Sequence, residues 1–155
     1  MIINTRWLVV ALTGFSIASI LGAWGFQYIG EMAPCKLCFY QRYPHWAAAA
    51  IGLLILMTGK RVLCWLGGLA ALTTSAIGIY HSGVERKLWE GPASCSGGDI
   101  AGMSTEDLMA QIMSAPLVRC DEIPWEMFGV TMANLNAVGS LVVGLLWFYA
   151  ARSRT

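Results

Sequence analysis

The chain has 155 residues, 57% of them hydrophobic and 12% charged, with a mean hydropathy of +0.60 and a formal net charge of +1. Soluble domains carry roughly 25% charged residues, and a soluble core of this length has no use for so much apolar surface. The composition excludes a water-soluble domain and points to an integral membrane protein, one membrane domain over residues 1–155 that faces the lipid bilayer. No nucleic-acid partner is expected.

About 20 helical residues cross the hydrocarbon of a bilayer. The first segment of that kind covers 7–29. It is read as a retained anchor, because a secretory signal has an apolar run of only roughly 7–15 residues and no A-x-A site closes this one. A first loop over 30–45 overlaps the start of a second span at 37–58, whose polar residues are confined to its first two turns. A third span at 62–81 leads to a longer loop over 82–128, and a fourth span follows at 129–150. Closed β-barrels are the other way to cross, but unbroken apolar runs lack their alternation. The expected fold is an all-α, four-transmembrane-helix bundle. Small residues recur every fourth position at Gly14, Ala18 and Gly22 and again at Gly67, Ala71 and Ser75, which suits close helix approach in lipid.

Charge sets the orientation. With four spans, both termini and the turn between Thr58 and Val62 share one side. That side holds Arg6, Lys60, Arg61, Arg152 and Arg154 and no acid. The other side holds every carboxylate: Glu31, Glu85, Glu90, Asp99, Glu106, Asp107, Asp121, Glu122 and Glu126. Cations gather on the cytoplasmic side, so the termini are expected to be cytoplasmic and both long loops to face outward.

Four of the five cysteines fall in those outer loops: Cys35 and Cys38 in the first, Cys95 and Cys120 in the second. An oxidising outer compartment favours disulfides there. Four cysteines allow three pairings, and the sequence does not choose among them. Structural staples and a Cys₄ zinc site are the bland alternatives, although the second loop has no C-x-x-C of its own; no metal site is assigned. Cys64, near the inner end of the third span, reads as a small apolar filler.

The surroundings of Cys35-x-x-Cys38 favour reactivity. Pro34 suits the first turn of a helix, which places the pair at a helix amino end where backbone N–H groups favour a thiolate. Arg42 follows Cys38 by four residues, on the same helical face. An arginine inside a membrane segment is by default a functional hypothesis, and this one is suited to holding a Cys38 thiolate or polarising an acceptor oxygen. Gln41 beside it is a candidate hydrogen-bonding group. His45, one turn beyond Arg42, is given no role.

Four spans, Pro34-Cys35-x-x-Cys38 with Gln41-Arg42, and a second outer loop with Cys95 and Cys120 resemble the DsbB family of bacterial inner-membrane thiol oxidases. The likeness covers essentially the whole chain. Vitamin K epoxide reductase relatives share the bundle logic but have the loop cysteines before the C-x-x-C; here the order is reversed. The resemblance implies a multi-pass inner-membrane oxidoreductase with periplasmic cysteine loops. Its partner would be a periplasmic DsbA-type dithiol protein, and its cofactor ubiquinone or menaquinone from the membrane pool. It further implies Cys95–Cys120 and Cys35–Cys38 as the catalytic pairs, Cys38 and Arg42 at the quinone, and His81 near the quinone ring.

Such a relay needs an energetic sink, because a DsbA-type disulfide sits near −120 mV and each 30 mV of mismatch costs about 1.4 kcal/mol. A quinone is such a sink. In the second loop, Ser104-Thr105-Glu106-Asp107 resembles a capping box. Leu108, Met109, Ile112 and Met113 then lie on one side of a short amphipathic helix suited to the membrane interface. Gly97-Gly98 gives the loop freedom beyond Cys95. The alternative is a non-enzymatic membrane scaffold with stapled loops.

Overall fold

A computed structural model describes residues 4–92, 95, 104–114 and 118–153; Gly97, Gly98, Asp99 and Arg154 lie outside this set. Four long helices form the body: α1 Thr5–Tyr28, α2 Lys36–Thr58, α3 Cys64–Glu85 and α5 Met132–Arg152, with the short α4 Thr105–Ser114 between the last two. Helix α3 packs on α2 and α5, and α1 closes the bundle against the same two. The hydroxyl of Thr5 lies 2.7 Å from that of Ser153, and Arg61 donates to the Ser153 carbonyl at 3.0 Å. The start of α1, the α2–α3 turn and the end of α5 therefore share one end of the bundle, as the sequence expects.

Three helical segments, Thr5–Tyr28, Arg61–Glu85 and Met132–Arg152, are long and apolar enough to cross a membrane. Helix α2, with 23 residues, is about 35 Å long at 1.5 Å per residue. Its length matches the others. The polar residues of its first two turns dilute its hydropathy, which is the exception the sequence shows.

Local chemistry sets the helix ends. Asn4 caps α1 by accepting from the Arg6 N–H, and Thr131 with Asn134 forms a reciprocal capping box on α5. Gly59 closes α2 at φ +70°, a left-handed conformation that costs glycine nothing. The first loop is shorter than expected. Helix α2 already begins at Lys36, so the loop does not run to 45, and Gln41, Arg42 and His45 are helical. The physical reason is the cap: Cys35 Sγ accepts from the Cys38 N–H at 3.2 Å.

Helix α3 likewise continues a turn beyond the expected 81, to Glu85, because Ser82, Gly83, Val84 and Glu85 are all buried. The second loop ends in a two-stranded antiparallel hairpin, Glu126–Met127 with Val130–Thr131, which an all-α reading does not contain. Phe128 and Gly129 turn it with φ of 52° and 78°, the left-handed pair that tight hairpins require. For α4 the expected cap is present, Ser104 Oγ accepting from the Asp107 N–H at 3.1 Å. Met109 and Met113 are exposed on it; the side chains of Leu108 and Ile112 lie outside the described residues.

The apolar core occupies the end that holds the termini, where Val9, Leu12, Ile55 and Cys64 surround a fully buried Trp147. The second small-residue stripe serves this contact: a Cβ on Gly67 would stand 3.0 Å from the Trp147 ring, and Ser75 donates to the Ala137 carbonyl at 2.7 Å. The first stripe does not bring helices together. A Cβ on Gly14 or Gly22 would meet nothing within 4 Å, and Gly22 lines a cavity.

Candidate redox site

At the opposite end Cys35, Cys95 and Cys120 are buried with Leu37 and Val84 in one cluster, and Cys38 and Val118 pack against it. Cys95 and Cys120 form a disulfide with a Cα–Cα distance of 5.1 Å, and the Cys120 N–H donates to the Cys95 carbonyl at 2.8 Å. Cys35 and Cys38 are unpaired, their sulfurs 2.6 Å apart. The hydrogen bond shared with Cys38, and then burial, push the Cys35 thiol well above the usual thiol range. Cys38 is half-buried and faces the cavity. Cys64 lies in the apolar core at the other end, among hydrophobic neighbours.

The cavity, about 350 Å³, is walled mostly by apolar side chains of α1, α2 and α5. Ser19, Cys38, Gln41, Arg42, His45, His81, Glu85 and Asn136 supply its polar groups. Arg42 Nη1 donates to Gln27 Oε1 at 2.7 Å and its guanidinium stands 5.1 Å from the Phe39 ring centroid. Its buried Nε has no hydrogen-bond partner among the described residues. An orphaned guanidinium N–H costs free energy unless something accepts from it, so an apolar ligand with a carbonyl oxygen fits this wall.

His81 does more than line the cavity. Its Nε2 lies 3.6 Å from Cys35 Sγ and 3.8 Å from Glu85 Oε1, and its Nδ1 is 2.8 Å from Gln41 Nε2. The ring also meets the Cys120 main chain. Cys35, Cys38 and His81 present donor atoms within 4.8 Å of one another, a soft thiol–imidazole set different from the four-cysteine site weighed on the sequence.

The six sequence-chosen residues Cys35, Cys38, Gln41, Arg42, His81 and Cys120 thus meet at one end of the bundle, with Cys95 bonded to the last. The structure adds Glu85 and Asn136 to the site. The Glu85 carboxylate is buried, with Oε2 accepting the Thr131 hydroxyl at 2.7 Å. Asn136 Nδ2 donates to Gln41 Oε1 at 2.6 Å, and its Oδ1 accepts from His45 Nε2 at 2.8 Å. Two asparagines, Asn134 and Asn136, inside the fourth apolar segment are the available signal, since polar groups within a span usually find partners on a neighbouring helix.

Four cysteines thus gather at one end of the bundle, with Cys38 at the cavity. The family described as Disulfide bond formation protein DsbB matches residues 5–150. The chain belongs to the DsbB family. Its relatives include a Disulfide bond formation protein B of Shewanella sp. (strain MR-4), 30% identical over 94% of this chain and 86% of the relative. Another protein of that name, from Alkalilimnicola ehrlichii, is 28% identical over 86% and 85% of the two chains. An uncharacterized protein of Rickettsia prowazekii is 27% identical over 90% and 86%. No solved structure matches the chain significantly. Family membership and the apolar helices together make it a multi-pass membrane protein of disulfide bond formation.

Proposed function

We propose that this DsbB-family protein is a quinone-dependent oxidase that re-forms the disulfide of a periplasmic DsbA-type dithiol protein. It is a single four-span domain in the bacterial inner membrane, with cytoplasmic termini and periplasmic cysteine loops. The observation that carries this reading is the burial of Cys35, Cys95 and Cys120 in one cluster, against which Cys38 packs while facing the cavity beside Arg42.

The sulfur chemistry follows from thiolate exchange. A partner thiolate attacks Cys95; the Cys95–Cys120 bond breaks and its electron pair stays on Cys120. Cys95 is 1% exposed, so its sulfur has to be uncovered before the partner can attack it. The Cys120 thiolate attacks Cys35 of a Cys35–Cys38 disulfide, and Cys38 leaves as a thiolate toward the cavity. Arg42 holds negative charge there, and Gln41 and His81 form the adjoining wall. A quinone bound in the cavity would supply a two-electron, two-proton acceptor.

The buried Cys95–Cys120 bond by itself is also what a stapled scaffold would contain. A scaffold gives no account of an unpaired Cys38 at a cavity beside an unsatisfied Arg42 N–H.

The test is quinone reduction by the purified protein, driven by a reduced periplasmic dithiol protein. Cys38→Ser is expected to fall to background and Arg42→Ala to raise the quinone KM. Added quinone should also give the wild type a visible absorbance that Cys38→Ser lacks. Wild-type turnover in Cys38→Ser would sink the relay.

A further inference from the structure

The site contains a chain of buried hydrogen bonds whose direction is fixed. Two main-chain carbonyls, which only accept, set the orientation of its two amides. Asn136 Nδ2 faces the Thr74 carbonyl at 3.3 Å, so its oxygen faces His45, whose Nε2–H donates to it. Gln41 Nε2 faces the Leu37 carbonyl at 3.3 Å, so its oxygen accepts from Asn136 and its NH₂ reaches His81 Nδ1. With Nδ1 accepting, a neutral His81 carries its proton on Nε2. That N–H points into the cysteine cluster, 3.6 Å from Cys35 Sγ and 3.8 Å from Glu85 Oε1. The hydroxyl of Thr131 holds the other Glu85 oxygen.

From this geometry we propose that His81 is a catalytic residue for the sulfur of Cys35: its Nε2–H receives the charge that Cys35 takes on when it is a leaving group. Gln41, Asn136 and His45 are positioning residues that keep the proton on Nε2. The proposal rests on the relay above and deepens it. The partner's second thiolate first attacks the partner sulfur of the mixed disulfide, which closes the partner's own disulfide and leaves the electron pair on Cys95. In the step concerned, that Cys95 thiolate attacks Cys120 within the Cys35–Cys120 bond. A Cys95–Cys120 bond forms, the Cys35–Cys120 bond breaks, and the electron pair of the broken bond stays on Cys35. No proton changes hands. The sulfur is buried away from water, and its other donors are the backbone N–H groups of Cys38, at 3.2 Å, and Leu37, with the Cys38 thiol beside them when protonated. Stabilising the departing thiolate speeds exchange, and a hydrogen bond to a charged group is worth about tenfold or more in rate.

The experiment follows the purified protein in detergent with quinone and a reduced periplasmic dithiol protein, quenching samples with acid and alkylating reagent. Disulfides are mapped by mass spectrometry alongside kcat and quinone KM. His81→Ala is expected to accumulate the Cys35–Cys120 species and lose about tenfold in kcat, a loss larger than any change in quinone KM from opening the cavity wall. His81→Gln, which returns an N–H near the same place, is expected to recover most of the rate and clear the trapped species. Wild-type turnover with no build-up of Cys35–Cys120 in His81→Ala would overturn the role of His81 and leave the relay standing. So would a rise in quinone KM as the sole change. Failure of the wild type to turn over would remove both.

Discussion

The two ends of the bundle use the same helices in opposite ways. At the end that holds the termini, Trp147 fills the space over Gly67 and apolar side chains close around it, leaving Cys64 with nothing to react with. At the cysteine end the helices line a cavity of about 350 Å³, and polar groups are paired one to another across α2, α3 and α5. Stability is concentrated where packing is dense, because close-packed interiors tolerate little change in volume. The proposed chemistry is concentrated where a cavity remains beside an unsatisfied Arg42 N–H. On the proposed function, a cysteine near one end fills the core and one near the other is a station in electron transfer, and position makes the difference.

The sharpest way to break this comparison is to remove sulfur from each end in turn. Cys120→Ser is expected to bring dithiol-driven quinone reduction to background, since Cys35 then has no protein thiolate to receive. Cys64→Ala is expected to leave kcat within error of wild type. A large loss of activity in Cys64→Ala, with melting unchanged, would show that the inner end takes part in the chemistry.

Removing the packed ring reverses the pattern. Trp147→Ala is expected to cost about 3–5 kcal/mol of stability, the usual range for emptying a large aromatic site in a core. Thermal denaturation in detergent, read beside turnover per folded molecule, checks it. The melting temperature should fall steeply while quinone KM holds. A shifted KM with unchanged melting would mean that the two ends are not separable.

How much of this division can be read without coordinates differs between the ends. The long helices are visible because apolar runs of the right length have few other uses, and the cysteine end is visible because Cys35, Cys38 and Arg42 break those runs. The extra turn of α3 is not. Ser82-Gly83-Val84-Glu85 looks like the start of a polar loop until Thr131 and the cysteine cluster bury it. The hairpin at Phe128-Gly129 is short enough for only its glycine to hint at it. Glu85 and Asn136 stay hidden for a related reason: their partners come from elements distant in the chain, and pairings between helices leave no periodic trace. The two small-residue stripes look alike in sequence, yet one carries an aromatic ring and the other opens onto the cavity.

That last pair gives a gentler test. Gly22→Leu adds volume where a Cβ meets nothing within 4 Å, on the wall of the cavity. It is expected to raise the quinone KM several-fold, of the size of one misfitting apolar contact at roughly 1 kcal/mol, with no loss of melting temperature. Gly67→Leu drives a side chain into the Trp147 ring and should lower the melting temperature with little change in KM. If both variants behave alike, the stripes have one role and the contrast between the ends is weaker than argued.

The smallest expected effect is electrostatic and lies beside Cys120. Arg119 grips Asp121 through Nε at 3.0 Å and Nη2 at 2.6 Å, and this hydrogen-bonded guanidinium holds the Asp121 carboxyl below the usual carboxylate range. A depressed folded-state value means that the ionised form is favoured by folding. The contribution is therefore complete above the unfolded value of about 3.9 and is lost as pH falls through the lower folded value. Arg119 is substantially exposed, and exposed pairs are worth little because water and salt screen them, so global stability at neutral pH should barely change in Arg119→Ala. A carboxyl titration of Asp121 followed by NMR should instead move up toward the ordinary value in that variant. If it stays low without the guanidinium, the Asp121 backbone N–H bond, and not Arg119, sets the charge next to Cys120.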